Sequence, residues 1–234
     1  MKIALCLSGQ PRSFEKGYEY HKKNLLDHYD VDVFIHSWMY SEELLDKIED
    51  LYKPKDMDYE LPLSKIYFKR YFVGNPQYPA HNTGQMFYSV FRANQILSKY
   101  SQTFNQDYDV VIRSRFDFAL NVKLSYELIE NNYIYVPDCR QNPSHTIAND
   151  QFAYGRQNVM KLYCQTYNNM DFLYENGCPF NGEELMSANL ALYGLTGNKM
   201  VYVDMNPPFA PDAYGSMKHS LIRDDFSEWN KLRG

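Results

Sequence analysis

The sequence predicts an α/β chain with a mostly parallel central sheet flanked by helices, in a single domain over residues 1–234, and three observations predict it. The first segment, Lys2 to Leu7, is a continuous apolar run that stops at Ser8-Gly9, as a buried parallel strand running into a loop does. A helical stretch and a second apolar run, Val31 to Trp38, follow it and complete a βαβ opening. Tyr108 to Ile112 (YDVVI) is the strongest central-strand signal and leads into Arg113-Ser-Arg115-Phe-Asp117.

Taken in order, Ser13 caps a helix whose apolar face carries Phe14, Tyr18, Leu25 and Tyr29, with Lys and His on the other face. Residues 41–52 form an amphipathic helix with Leu44, Leu45, Ile48 and Leu51 behind Ser41. Ile66 to Phe72 is a third strand. Gly74 to His81, punctuated by Pro76 and Pro79, is a loop that ends at an Asn82/Thr83 cap. The helix that follows runs to about Tyr100, with Met86, Val90, Ala93 and Leu97 inward. The second half alternates a strand at Tyr133 to Val136, an irregular polar stretch from Pro137 to Asn149, and a strand at Gln151 to Tyr154. Helices from about Asn158 to Asn168 and from near Gly182 to Gly194, then a last strand at Met200 to Asp204, complete the reading. No repeat, Ser/Gly linker or charge block marks a domain boundary.

With 24 Lys+Arg against 29 Asp+Glu the formal net charge is −5, and no dense basic stripe appears, which argues against a dedicated nucleic-acid binder. The longest N-terminal apolar run, Ile3 to Leu7, is too short for a transmembrane segment or an ordinary signal peptide, so a soluble, cytoplasmic chain is expected. Cys6, Cys139, Cys164 and Cys178 show neither a CxxC nor a zinc spacing and read as reduced, mostly buried thiols. The 22 tyrosines suit half-buried packing and polar, ring-shaped ligands alike.

Candidate chemistry gathers at strand ends. Ser8, Gly9, Gln10 and Arg12 lie in the loop between the first strand and the first helix, where backbone amides, a helix N-terminus and a forked guanidinium favour a phosphate. Asp117 follows the central strand and reads either as a ligand for a hard divalent cation that holds a diphosphate or as an ion-pair partner of Arg113 or Arg115. Those two arginines are themselves candidate phosphate ligands. Asp150 precedes a strand and stands at a cleft edge, unless it caps its own turn. Asn181 and Glu184 have the spacing of a helix cap and its partner, which leaves Glu183 freer for chemistry. His36 and Trp38 share a side of the second strand and are candidates for lining a base or sugar pocket, with core packing the competing account of Trp38. His219 and Arg223 read as a surface pair in the tail.

The ordered set LCLSGQPRSF, VDVFIHSW, HNTGQMFYSVFRANQI, YDVVIRSRFD, NDQFAYG and GEELMSANL resembles small glycosyltransferases of bacterial surface-polysaccharide loci and of large DNA viruses, over nearly the whole chain. The resemblance implies a GT-A fold, with residues 1–120 as a nucleotide-binding half and 121–234 as an acceptor-side half. It further implies a nucleotide-diphosphate sugar donor, a glycan or glycoprotein acceptor, and Mn²⁺ or Mg²⁺ at a DxD motif. That motif falls on Arg115-Phe116-Asp117, where only the last carboxylate is present. Glu183 falls near the place of a helix-borne acidic base, with Asp150 as the competitor. More weakly, GQPRSF and VIRSRFDFAL are similar to the phosphosulfate loop and the arginine-bearing strand end of sulfotransferases, although Phe14-Glu15 stand where that loop carries Gly and Ser/Thr. A non-catalytic carbohydrate-binding module is the third alternative.

Overall fold

The computed structural model describes residues 1–39, 41–62, 80–138, 147–205 and 222. Strand β1 (Ile3–Gly9) is followed by α1 (Phe14–His21), which runs on into a π-helical turn at Lys22–Leu26, and by β2 (Val31–Trp38). Then come α2 (Glu42–Tyr52), β3 (Asp56–Glu60), α3 (Ala80–Phe104) and β4 (Val110–Ser114). The second half holds β5 (Ile134–Pro137), β6 (Phe152–Gly155), α4 (Gln157–Tyr163), α5 (Thr166–Glu175), α6 (Gly182–Leu192) and β7 (Met200–Val203).

The seven strands among the described residues join one sheet in the order β3-β2-β1-β4-β6-β5-β7. The β1/β2, β1/β4, β2/β3 and β5/β7 pairs are parallel, and β6 runs antiparallel to both of its neighbours. The expected α/β class with a mostly parallel sheet is therefore what the chain adopts. Strand alternation sorts the core into two faces. Ala4, Cys6 and Val111 point to the face covered by Phe87, Val90, Ala93 and Leu97 of α3 and by α4, α5 and α6. Ile3, Leu5, Leu7 and Ile112 point to the other, against Phe14, Ile48 and Tyr52 of α1 and α2 and the segment from Phe116 to Ile129. Each fully buried Leu, Ile or Phe there contributes about 1.5–3 kcal/mol by leaving water.

Several expectations are corrected. The third strand of the described chain is Asp56–Glu60, a polar edge strand whose residues are only half-buried or exposed, so it carries no apolar run to announce it. The expected strand at 66–72, most of the 74–81 loop, Cys139, His219 and Arg223 lie outside the described residues. The helix expected from 158 to 168 is two helices, broken at Cys164 and Gln165. Ser13 occupies the cap position of α1 in a left-handed conformation (φ 46°) and makes no side-chain cap bond. His21, expected on the outer face of that helix, is fully buried.

Two topological facts position a site. Strand order reverses between β1 and β4, since β1 leads to β2 on one side while β4 returns on the other. Crevices of this kind, at the carboxyl ends of the strands, are where open α/β sheets meet ligands. Because β6 is reversed, it starts where β4 ends, with Phe152 opposite Ser114, and so the turn carrying Asn149 and Asp150 arrives at that same end.

Candidate functional site

The β1 loop forms one wall of the crevice. Gly9 adopts φ 106°, a left-handed conformation that a side chain would strain, and this turns the chain away from β1 toward Arg12. The side chain of Ser8 is buried at the end of β1, and among the described residues its hydroxyl finds no hydrogen-bond partner. A buried polar atom of this kind is available to a ligand's acceptor or donor.

The turn after β4 lies beside the β1 loop, since β1 and β4 are paired. Arg115 donates to Asp117 through both Nε (2.7 Å to Oδ1) and Nη2 (2.8 Å to Oδ2), and Arg12 Nη2 stands 3.4 Å from the same Oδ2. Burial works against the Arg115 charge, but Asp117, through its charge and its hydrogen bond, outweighs it and holds the guanidinium above its ordinary value. The fork uses Nε and Nη2 and leaves Nη1 available to an anion. Asp117 thus joins the loop and the turn, engaging one arginine from each.

This turn is braced from behind. In α1, Gly17 lies so close to the backbone of Phe116 that a side chain's first carbon would collide with the Phe116 carbonyl oxygen. A buried chain of hydrogen bonds reaches the same turn: Ser114 Oγ donates to the Arg115 carbonyl (3.1 Å), His21 Nε2 meets Ser114 Oγ (3.1 Å), and His21 Nδ1 meets Tyr52 Oη (3.0 Å). With the Ser114 proton committed to Arg115, His21 Nε2 is the donor and Nδ1 accepts from Tyr52, which requires a neutral ring. Burial agrees, lowering the His21 pKa to about 4.

Across the crevice, Asn149 Oδ1 accepts from the backbone of Gln151 (2.7 Å) and Phe152 (3.0 Å) and so closes the turn, while the Asp150 carboxylate also takes a backbone hydrogen bond from its own residue. Arg113, buried under the sheet end, donates through Nη1 to the Asp150 carbonyl. The Asp150 carboxylate lies against Gly182, the first residue of α6. Asn181 Oδ1 caps that helix by accepting from the Glu184 N–H (2.9 Å), as its spacing predicts, which leaves Glu183 on the exposed side of the first turn. Burial raises the Asp150 pKa, with Arg113 and Arg115 pulling the other way. Glu183 is raised too, first by partial burial, then by Asp150 and Glu184.

The structure thus brings the Ser8 to Arg12 loop, Arg115 and Asp117 together on one side, and Asp150 and Glu183 together on the other, with Arg115 close enough to Asp150 to act on its charge. Three expected residues or groups meet surroundings that differ from those the sequence suggests. Arg113 is 1% exposed and serves the Asp150 turn rather than a ligand. His36 is fully buried, held between Ser89 Oγ (2.7 Å) and Glu60 Oε1 (3.3 Å) and packed edge-on to Trp38, itself 2% exposed, so among the described residues both pack as core side chains. Burial lowers the His36 pKa to about 4, despite Glu60. Third, a divalent cation at Asp117, which the resemblance implies, does not fit the donor set: both oxygens already hold Arg115, and the approach meets two guanidiniums. Among the described residues no group of three or more His, Cys, Asp or Glu is placed to hold a metal ion.

Sequence reasoning missed Gly17, Gly182, Asn149 and His21. A glycine inside a helical pattern was the available signal for Gly17. Nothing local marks His21 as buried. No protein-family model matches the chain, and neither does any curated protein. No described helix is long and apolar enough to cross a membrane.

Proposed function

We propose that the chain is a GT-A-like glycosyltransferase that moves a sugar from a nucleotide-diphosphate donor to a hydroxyl of a glycan or glycoprotein, with the donor's diphosphate neutralised by arginines. The observation that carries the reading is the pairing of unlike chemistries across one crevice: Arg12 and Arg115, joined through Asp117, face a carboxylate pair at the start of α6. The sheet order supports it as well. Strands 3-2-1 repeat the first half of a dinucleotide-binding fold, but beyond β4 the reversed β6 departs from the second mononucleotide half, so the crevice suits one nucleotide and not two.

In this reading the Ser8 hydroxyl, the amides of Gly9 and Gln10, and the two guanidiniums bind the diphosphate. As the acceptor oxygen bonds to the anomeric carbon, its proton passes to a carboxylate of the Asp150/Glu183 pair. The bond from that carbon to the phosphate oxygen breaks, and its electron pair leaves with the nucleoside diphosphate, whose charge the arginines hold. The site residues do the binding, orienting and proton transfer with no metal in the sequence of steps. Polysaccharide biosynthesis in the cytoplasm of a bacterium or of a virus-infected cell is the setting this reading suggests.

A thermal-shift screen against nucleotide sugars, with and without Mn²⁺, tests the proposal. A ligand at ~100 times its dissociation constant raises stability by roughly 2.7 kcal/mol. Stabilisation by a nucleotide sugar that is the same with and without Mn²⁺ supports it, and no stabilisation by any nucleoside diphosphate or its sugar overturns it. A sulfotransferase would be stabilised by adenosine 3′,5′-bisphosphate instead.

A further inference from the structure

The two carboxylates across the crevice differ in how they are held. Glu183 is exposed on the first turn of α6, whereas Asp150 is fixed at three points. Its carbonyl is clasped by buried Arg113. Its turn is closed by Asn149, whose own carbonyl accepts from Tyr163 Oη (3.0 Å). Its carboxylate fills the space that a side chain at residue 182 would need, with Met86 Cε of α3 against the same spot. The helix is tied to the turn as well, since Ser187 Oγ accepts from the Ala148 N–H (2.8 Å) and donates to the Glu183 carbonyl.

We infer that Gly182 makes Asp150 a positioning residue for Glu183: the missing side chain lets the Asp150 carboxylate rest on the first turn of α6, one residue from Glu183, so that the two act as one coupled pair in which Glu183 takes the acceptor's proton. The use of the pair in transfer rests on the glycosyltransferase reading; the coupling itself does not. Among the described residues, the charged groups facing Asp150 are Arg113 and Arg115 from β4 and the turn after it, and Glu183 from α6, while α3 presents the apolar Met86. Glu183 faces Asp150 and its own neighbour Glu184. With two arginines beside it, Asp150 is the member whose charge is compensated; among the described residues no cation acts on Glu183, which feels Asp150 as repulsion, and this favours its protonated form.

The test is a pH titration of the full chain, carrying ¹³C-labelled Asp and Glu carboxyls, by NMR and with no donor or acceptor present. Asp150→Asn removes the repulsion with almost no change of volume and is expected to lower the Glu183 midpoint. Gly182→Ala pushes the Asp150 carboxylate off the helix and is expected to lower the Glu183 midpoint as well, with Asp150 still able to ionise. Circular dichroism and thermal unfolding establish that each variant is folded, and either folded variant decides the matter. A Glu183 midpoint unchanged in a folded variant overturns the inference, because a merely structural Asp150 would leave that titration where it was. Failure of every nucleotide to bind would instead sink the transferase reading and leave the coupling standing. Where transfer is measurable, the acid limb of its pH profile moves to lower pH in both variants.

Discussion

Arg115 holds Asp117 with two hydrogen bonds from one guanidinium, at 2.7 and 2.8 Å, and Arg12 approaches the same carboxylate at 3.4 Å from the β1 loop. A carboxylate so engaged orients cations; it is not waiting for one. The affinity of the site for a diphosphate then follows from two preset guanidiniums whose geometry Asp117 fixes.

Replacing Arg115 by Ala is expected to weaken binding of a nucleoside diphosphate by about 10- to 100-fold, the worth of one charge-assisted interaction of ~1.5–3 kcal/mol. Arg115→Lys is expected to recover only part of the loss, because a single ammonium cannot bond both Asp117 oxygens and still present a planar fork. Titration calorimetry with the two variants checks this; full affinity in Arg115→Ala would contradict it.

Asp117→Asn is expected to weaken nucleotide binding, by releasing the two arginines from their fixed positions, and EDTA is expected to leave the wild-type affinity unchanged. A loss of affinity on adding EDTA, restored by Mn²⁺, would return Asp117 to the role of metal ligand.

Gly17→Ala forces α1 away from the Phe116 carbonyl. Overpacking of this kind costs about 1–3 kcal/mol, and it displaces the turn bearing Arg115 and Asp117. A lower urea midpoint at an unchanged slope, accompanied by weaker nucleotide binding, is the expected result.

The same turn gives the protein a pH dependence. His21 has a folded pKa of about 4 against an ordinary value of 6.5, so it binds fewer protons folded than unfolded between those values. Its contribution to stability is intact above about pH 6.5, is lost as pH falls toward 4, and does not change further below that. Protonation also makes Nδ1 a donor, so that the Tyr52 hydroxyl has to turn from donor to acceptor. Denaturant unfolding at several pH values is expected to show this decline, and His21→Gln to flatten it; a decline of equal size in the variant would contradict the assignment.

Glu183→Gln is expected to lower turnover by about 10²–10⁴-fold with nucleotide affinity kept. Glu184→Gln is expected to act mildly, since the cap runs from Asn181 to the Glu184 backbone, and Asn181→Ala to cost about 1 kcal/mol of stability. Small and equal effects of the two glutamine variants on turnover would make Asp150 the base.

What could be read from the chain tracks where the signal lives. Buried parallel strands such as Ile3 to Gly9 write themselves as apolar runs, and the Asn181 cap is a local spacing, so both were legible. The polar edge strand at Asp56–Glu60 was not, because its position at the margin of the sheet requires no apolar pattern. Within the site, residue types at strand ends picked out Ser8, Arg12, Arg115, Asp117, Asp150 and Glu183. They could not distinguish Arg113, buried beneath the crevice, from Arg115, which opens onto it. Strand alternation suggested one face for both, but the chain turns after Ser114, and Asp117 folds back onto Arg115 alone. The burial of His21 and His36 and the close approaches at Gly17 and Gly182 arise from packing between elements distant in sequence, which no local pattern encodes.

The most direct test is calorimetric titration of the wild-type chain with UDP, GDP and adenosine 3′,5′-bisphosphate, repeated with Arg115→Ala. An arginine-held diphosphate site predicts that one nucleoside diphosphate binds at micromolar concentration without added metal and that the variant loses most of that affinity. Micromolar binding of the bisphosphate, with no binding of either nucleoside diphosphate in the presence or absence of Mn²⁺, would contradict it.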